Sequence, residues 1–154
     1  MKQDERNLEK VYRSAVNGLY GRLRSNYDFI YRKYGDEGIK LIEEMSREYG
    51  LTIARRAKDT IESNDLNAVA QYLIRIFNTV SWGKDTIEIN SISSAKIIIK
   101  VSECPLHFDN PEMCRAHTCM EKTVVQELNP SLNYRIGKSI PAGDAFCEHI
   151  LEVK

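Results

Sequence analysis

The spacing of apolar residues changes once along this chain, near residue 84, and that change limits what it can fold into. Up to about Gly35, Leu8, Val11, Tyr12, Ala15, Val16 and Leu19 recur three and four apart, which places them on one face of a helix. Gly18, Gly21 and Gly35 weaken the pattern, and a break is expected around Arg24 to Asn26. A second helix is read from Asp36 as N-cap through Ile39, Ile42, Met45, Tyr49, Ile53 and Ala57, with Gly50 interrupting it without ending it. A third starts at Asn64 or Asp65, carries Leu66, Val69, Ala70, Leu73, Ile76, Phe77 and Val80, and stops at Gly83. Trp82 reads as a core or capping contact.

Beyond that point the period is two. "DTIEIN" alternates, and "SAKIIIKV" is a β-branched run of strand length. "NYRIGKSI" alternates with Tyr134, Ile136 and Ile140 on one face, "PAGD" is a turn, and "AFCEHILEV" is the return strand. Between the strand pairs, "EMCRAHTCMEKTVVQEL" after Asn110-Pro111 reads as one helix that ends before Asn129-Pro130. Helices grouped ahead of hairpin-connected strands predict an α+β fold, N-terminal amphipathic helices packed on an antiparallel sheet, with one helix inserted between strand pairs. The chain reads as a single domain over residues 1–154, helical over 1–83 and mixed over 84–154.

Lys and Arg number 22, as do Asp and Glu. This balance argues against a nucleic-acid or anionic-membrane partner. The charged start "MKQDERNLEK" does not resemble a secretory signal, and no apolar run approaches the ~20 residues of a membrane span. A cytoplasmic location is expected, where thiols stay reduced. Glu43 and Arg47, four apart, fit a surface ion pair.

All four cysteines and all three histidines fall after residue 100. Their spacing is C-x2-H-x6-C-x2-H-x-C from Cys104 to Cys119, followed by Cys147-x-His149. Clustered thiols and imidazoles in a reducing compartment point to a metal or a catalytic centre. Alternation on the last strand puts Cys147 and His149 on its apolar face, and Cys104 lies at a strand end. If the second and fourth strands are neighbours, Cys104 and Cys147 can meet. On a regular helix Cys114 and Cys119 are about 140° apart, so one of them is a spare. The expected metal set is Cys104, Cys119, Cys147 and His149 or His107, with zinc leading and iron–sulfur second. Packing of small apolar thiols is the alternative.

The C-terminal third also carries Cys104-Pro105, Cys119 with Glu121, Asn129-Pro130, and Gly143-Asp144 ahead of Cys147. In these motifs it resembles the L-2-amino-thiazoline-4-carboxylic acid hydrolase family and is similar to the 4-vinyl reductase domain, a small-molecule-binding module. The latter's fold resembles that of heme-based nitric-oxide sensors and Golgi tethering subunits. The resemblance implies two functions. One is a binding or sensing module with a Cys/His zinc site, a pocket walled by Tyr12, Tyr20, Tyr27, Tyr31 and Tyr34, and a homodimer formed through the N-terminal helices. The other is a hydrolase of a small cyclic amidine or amide. In that case a metal-bound water would pass its proton to Glu121 or Asp144, or Cys114 activated by His117 would be the nucleophile.

Overall fold

The periodicity of the first eighty residues produces three helices: α1 (Lys2–Tyr34), α2 (Asp36–Lys58) and α3 (Leu66–Val80). The computed structural model describes residues 2–81 and 86–154, without the side chains of 2–5 and 91–92. The expectations for Trp82 and Gly83 lie outside the described residues. No break occurs at Arg24 to Asn26, and α1 runs straight through. Arg24 is tied there, its Nη1 donating to the Leu106 carbonyl at 2.7 Å, and Tyr27 is buried one turn on. Tertiary anchoring outweighs the weak local propensity. The helix ends where Gly35 takes φ 57°, a conformation open to glycine at little cost, so α2 starts one residue later. Asp36 is the first residue of α2 and Gly35 its cap, in place of the expected Asp36 cap. On α3, Asp65 does cap as expected, accepting from the Ala68 N–H at 2.9 Å.

The strands are β1 (Ile87–Ile92), β2 (Lys96–Val101), β3 (Leu132–Ile136) and β4 (Cys147–Val153), all antiparallel in the order β1-β2-β4-β3. The second and fourth strands are therefore neighbours. Ile97, Ile99 and Val101 lie opposite Leu151, His149 and Cys147, and these six, with Leu132 and Tyr134, form the buried face. Cys147 and His149 share that apolar face, as the alternation predicts. The other face carries ion pairs, with Glu152 3.1 Å from Arg135 and 3.6 Å from Lys96. Such exposed pairs contribute about 0–1 kcal/mol each. β3 stops at Ile136, short of the expected alternation to Ile140. Ile140–Ala142 instead form a single 3-10 turn closed by Gly143 at φ 98°, with Asp144 Oδ2 accepting from the Ser139 N–H at 2.8 Å.

The inserted helix departs from expectation. It is two helices, α4 (Pro111–His117) and α5 (Cys119–Leu128), joined at Thr118 with ψ near zero. The Thr118 hydroxyl donates back to the Arg115 carbonyl at 2.9 Å, a bond that competes with a straight ladder. The bend lets each half bury its own face. Met113, Cys114, Ala116 and His117 turn toward α1 and α2, whereas Val124, Val125 and Leu128 join α3 and the sheet. Two cores result. The larger holds Leu73, Ile97, Ile99, Leu132 and Leu151, nearly or wholly enclosed, each worth roughly 1.5–3 kcal/mol by transfer. The smaller packs Tyr27, Ile39, Ile42 and Phe108 around α4.

Helices α2 and α5 approach closely at Gly50. A Cβ there would sit 2.7 Å from the Met120 carbonyl oxygen and 2.8 Å from Thr123 Cβ. Gly50→Ala is expected to lower unfolding free energy by about 1–3 kcal/mol through overpacking. Gly18→Ala, on an exposed helix position with open space around it, is expected to raise it by about 0.5–1 kcal/mol. Urea denaturation of the two variants beside the parent protein checks both signs.

Candidate functional site: an apolar cavity between helices and sheet

Where the helices meet the end of the sheet at Val101 and Cys147, the fold forms a partly open cavity of about 560 Å³. Helix α1 contributes Tyr20, Leu23 and Tyr27, and α2 Met45, Ser46, Tyr49 and Ile53. Helix α3 contributes Ile76, Phe77, Val80 and Ser81. The sheet supplies Ile87, Val101, Cys147 and His149, and the α4–α5 corner supplies Cys114, His117, Met120 and Glu121. Nearly all of this wall is hydrocarbon, aromatic ring or thiol. Its size and composition are those of a site for an apolar ligand.

Both buried histidines are satisfied by tyrosines. The Tyr27 hydroxyl is hydrogen-bonded with His117 Nδ1 at 3.1 Å, and the Tyr134 hydroxyl with His149 Nδ1 at 2.7 Å. Phe108 packs 5.5 Å from the His117 ring, edge on, and Phe77 lies 4.6 Å from that of His149. Burial pulls the pKa of each histidine down to about 4, so both rings are neutral. The thiols are held protonated as well. Burial first, then nearby cysteines, push Cys114 up to about 12, and burial with the Glu43 carboxylate pushes Cys119 up to about 11. Cys147 accepts from the Ile140 N–H at 3.3 Å.

Among the described residues, two fully buried polar atoms in the cavity wall have no hydrogen-bond partner: Glu121 Oε2 and Ser81 Oγ. Glu121 is only 7% exposed, and burial lifts its pKa from 4.5 to about 7. An unpaired buried polar group costs about 1–3 kcal/mol. Neither atom would be kept in this state by packing alone.

Of the five expected metal ligands, Cys104, Cys147 and His149 reach the cavity wall. Cys119 instead donates its S–H to Glu43 Oε1 at 3.4 Å, and that glutamate also makes the expected Arg47 ion pair at 3.6 Å. His107 is exposed in the loop after β2, at φ 48°. Among the described residues, no group of three or more His, Cys, Asp or Glu is placed to hold a metal ion. This overturns the reading of the chain as a zinc-bearing sensor or metal-dependent hydrolase. The thiol alternative falls with it: Cys114 is protonated, and His117 spends its Nδ1 on Tyr27. Of the two candidate proton acceptors, Glu121 lines the cavity, whereas Asp144 caps the turn at Ser139. Of the five tyrosines expected in a pocket wall, Tyr20 and Tyr27 line the cavity, whereas Tyr12, Tyr31 and Tyr34 are exposed and do not. It missed Ser81, whose only signal was its position at the end of the third apolar stripe.

No protein-family model matches the sequence, and no curated protein is similar to it in sequence. Among solved structures, the fold is similar to that of a trafficking protein particle complex subunit 3 from Naegleria fowleri, covalently bound to palmitic acid. The identity is 14%, the TM-score is 0.61, and the match covers 94% of this chain and 96% of that one. The likeness is one of fold and runs over nearly the whole chain. It replaces the aminothiazoline hydrolase and 4-vinyl reductase resemblance, which rested on short motifs in the last third. Among the described residues, no helix is long and apolar enough to cross a membrane.

The buried groups give stability a pH dependence of mixed sign. Glu121, raised to about 7, contributes fully below about pH 4.5, and that contribution is lost as pH rises through 7. His117 and His149, lowered to about 4, contribute fully above pH 6.5, and theirs is lost as pH falls through 4. Glu121→Gln removes only the first of these. It is expected to stabilise the protein at pH 8, by up to on the order of 3 kcal/mol, with no comparable gain at pH 4.5. Urea midpoints at the two pH values measure the difference.

Proposed function

We propose that this chain is a subunit of a protein assembly of the trafficking-particle kind, and that its cavity houses a long acyl chain. The observation that carries the reading is the hydrocarbon-walled cavity, in a fold whose solved neighbour is covalently bound to palmitic acid. Burying a methylene is worth about 0.8 kcal/mol, so a chain that fills the cavity binds tightly without any further chemistry. The occupied cavity then completes the core between the helices and the sheet.

Assembly runs through α1. Leu8, Val11 and Leu19 are 71%, 65% and 68% exposed. With Ala15, also exposed, they keep the three-and-four spacing of a paired-helix seam. We assign this seam to a second copy of the chain. The unpaired cysteines suit the cytoplasm, where thiols stay reduced.

Two measurements test this. A pyrene-labelled long-chain alcohol, delivered from cyclodextrin, is expected to bind saturably at one per chain. Val80→Trp, which fills the cavity from α3, should weaken it at least about tenfold, or 1.4 kcal/mol, with the circular dichroism spectrum kept. Absence of saturable binding would sink the acyl reading. Light scattering should give twice the 17.7 kDa chain mass, and Val11→Glu with Leu19→Glu should return it to one chain. A parent protein that is monomeric at tens of micromolar refutes the seam.

A further inference from the structure

The cavity wall is largely apolar, and several of its polar groups are already engaged. Ser46 Oγ donates to the Ile42 carbonyl at 2.7 Å, Thr118 Oγ1 to that of Arg115, and the two histidines bond tyrosines. Among the described residues, Glu121 Oε2 and Ser81 Oγ are fully buried polar atoms that line the cavity without a hydrogen-bond partner. They come from different elements, the first turn of α5 and the end of α3. A hydrocarbon chain alone would leave both unsatisfied, and the desolvation cost of each would persist in the filled state.

Resting on the acyl-cavity reading, we infer that Glu121 and Ser81 recognise the head of the ligand, and that the ligand is a single-chain lipid with an uncharged, hydrogen-bond-donating head, a hydroxyl or an amide. Above pH 7, where Glu121 is ionised, a hydroxyl or amide N–H donates to Glu121 Oε2, and the same head has an oxygen to accept from the Ser81 hydroxyl. A carboxylate head would bring a second acid beside Glu121 into a cavity with no cation on its wall among the described residues, which burial and like charge both oppose. An ester head donates nothing and leaves the ionised Glu121 Oε2 unpaired. Sites built to bond a donor reject the analogue lacking it far more strongly than apolar pockets reject a methylene.

The test is displacement of the pyrene-labelled alcohol at pH 8, where Glu121 is ionised, by four ligands of equal chain length: hexadecanol, hexadecanamide, methyl palmitate and palmitate. In the parent protein, hexadecanol and hexadecanamide are expected to compete at least about tenfold better than methyl palmitate or palmitate, or 1.4 kcal/mol. Glu121→Leu should keep affinity for methyl palmitate while the preference for the alcohol and amide collapses to within about twofold, or 0.4 kcal/mol. Glu121→Gln retains a donor and an acceptor and should preserve the preference, which separates recognition from loss of fold. Ser81→Ala should reduce it in part. If all four ligands compete equally in the parent, or if Glu121→Leu leaves the preference intact, the head-group assignment is overturned while the acyl cavity stands. If the pyrene alcohol itself does not bind, the acyl reading fails first.

Discussion

The contact on which the rest of the structure depends is the approach of α2 to α5 at Gly50. There the backbone of one helix lies against the Met120 carbonyl of the other with no side chain between them. Two helices this close cannot separate or slide without opening the core beneath them. Their neighbouring turns nevertheless diverge around the cavity, Met45, Ser46, Tyr49 and Ile53 on one side and Met120 and Glu121 on the other. A tight contact beside an open space fixes the shape of that space. The bend at Thr118 does the complementary task, since a straight inserted helix could not serve the small core with Cys114 and His117 and the large one with Val124 and Val125.

The polar groups that the fold buries divide into two sorts, and the division says more than their number. Tyr27 with His117, and Tyr134 with His149, are closed pairs flanked by Phe108 and Phe77. They tie α1 to α4 and β3 to β4, and with neutral rings they behave as structural joints. Glu121 and Ser81 are open. A fold that matches its buried imidazoles so fully has no general difficulty in satisfying polar atoms, so two unmatched ones on the same cavity wall stand out as a feature of that cavity.

Much of the architecture was legible because hydrophobic period is a direct record of which face is buried. The stripes of α2 and α3, the adjacency of β2 and β4 and the inward aim of Cys147 and His149 all follow from it. What escaped has physical causes too. The bend at Thr118 is invisible because apolar residues continue at helical spacing on either side of it. Helix α1 was read as broken because glycines and aromatics lower local propensity, while the Arg24 bond to Leu106 that holds it is more than eighty residues away in sequence. The cavity escaped for a different reason. Val80, Ile76 and Val101 look in sequence like any core residue, and only their three-dimensional placement leaves space between them.

The cysteines and histidines misled through the same gap between sequence and space. Five ligand-type residues within sixteen, Cys104 to Cys119, look like a coordination set. Yet coordination requires donor atoms to converge within a few ångströms, and chain spacing controls that only when the segment has one regular conformation. Here the segment is a loop, a short helix, a bend and a second helix. His107 is sent to solvent, Cys119 to Glu43 and His117 to Tyr27. Cys104 and Cys114 do line the cavity, joined there by Cys147 and the neutral, hydrogen-bonded imidazole of His149, among Phe77, Val101 and Ile136. In that company a cysteine acts as a small hydrophobe. The residues that suggest a metal are thus part of what makes the wall fit for hydrocarbon, and Glu121, a candidate base by sequence, is with Ser81 a buried group on that wall without a partner.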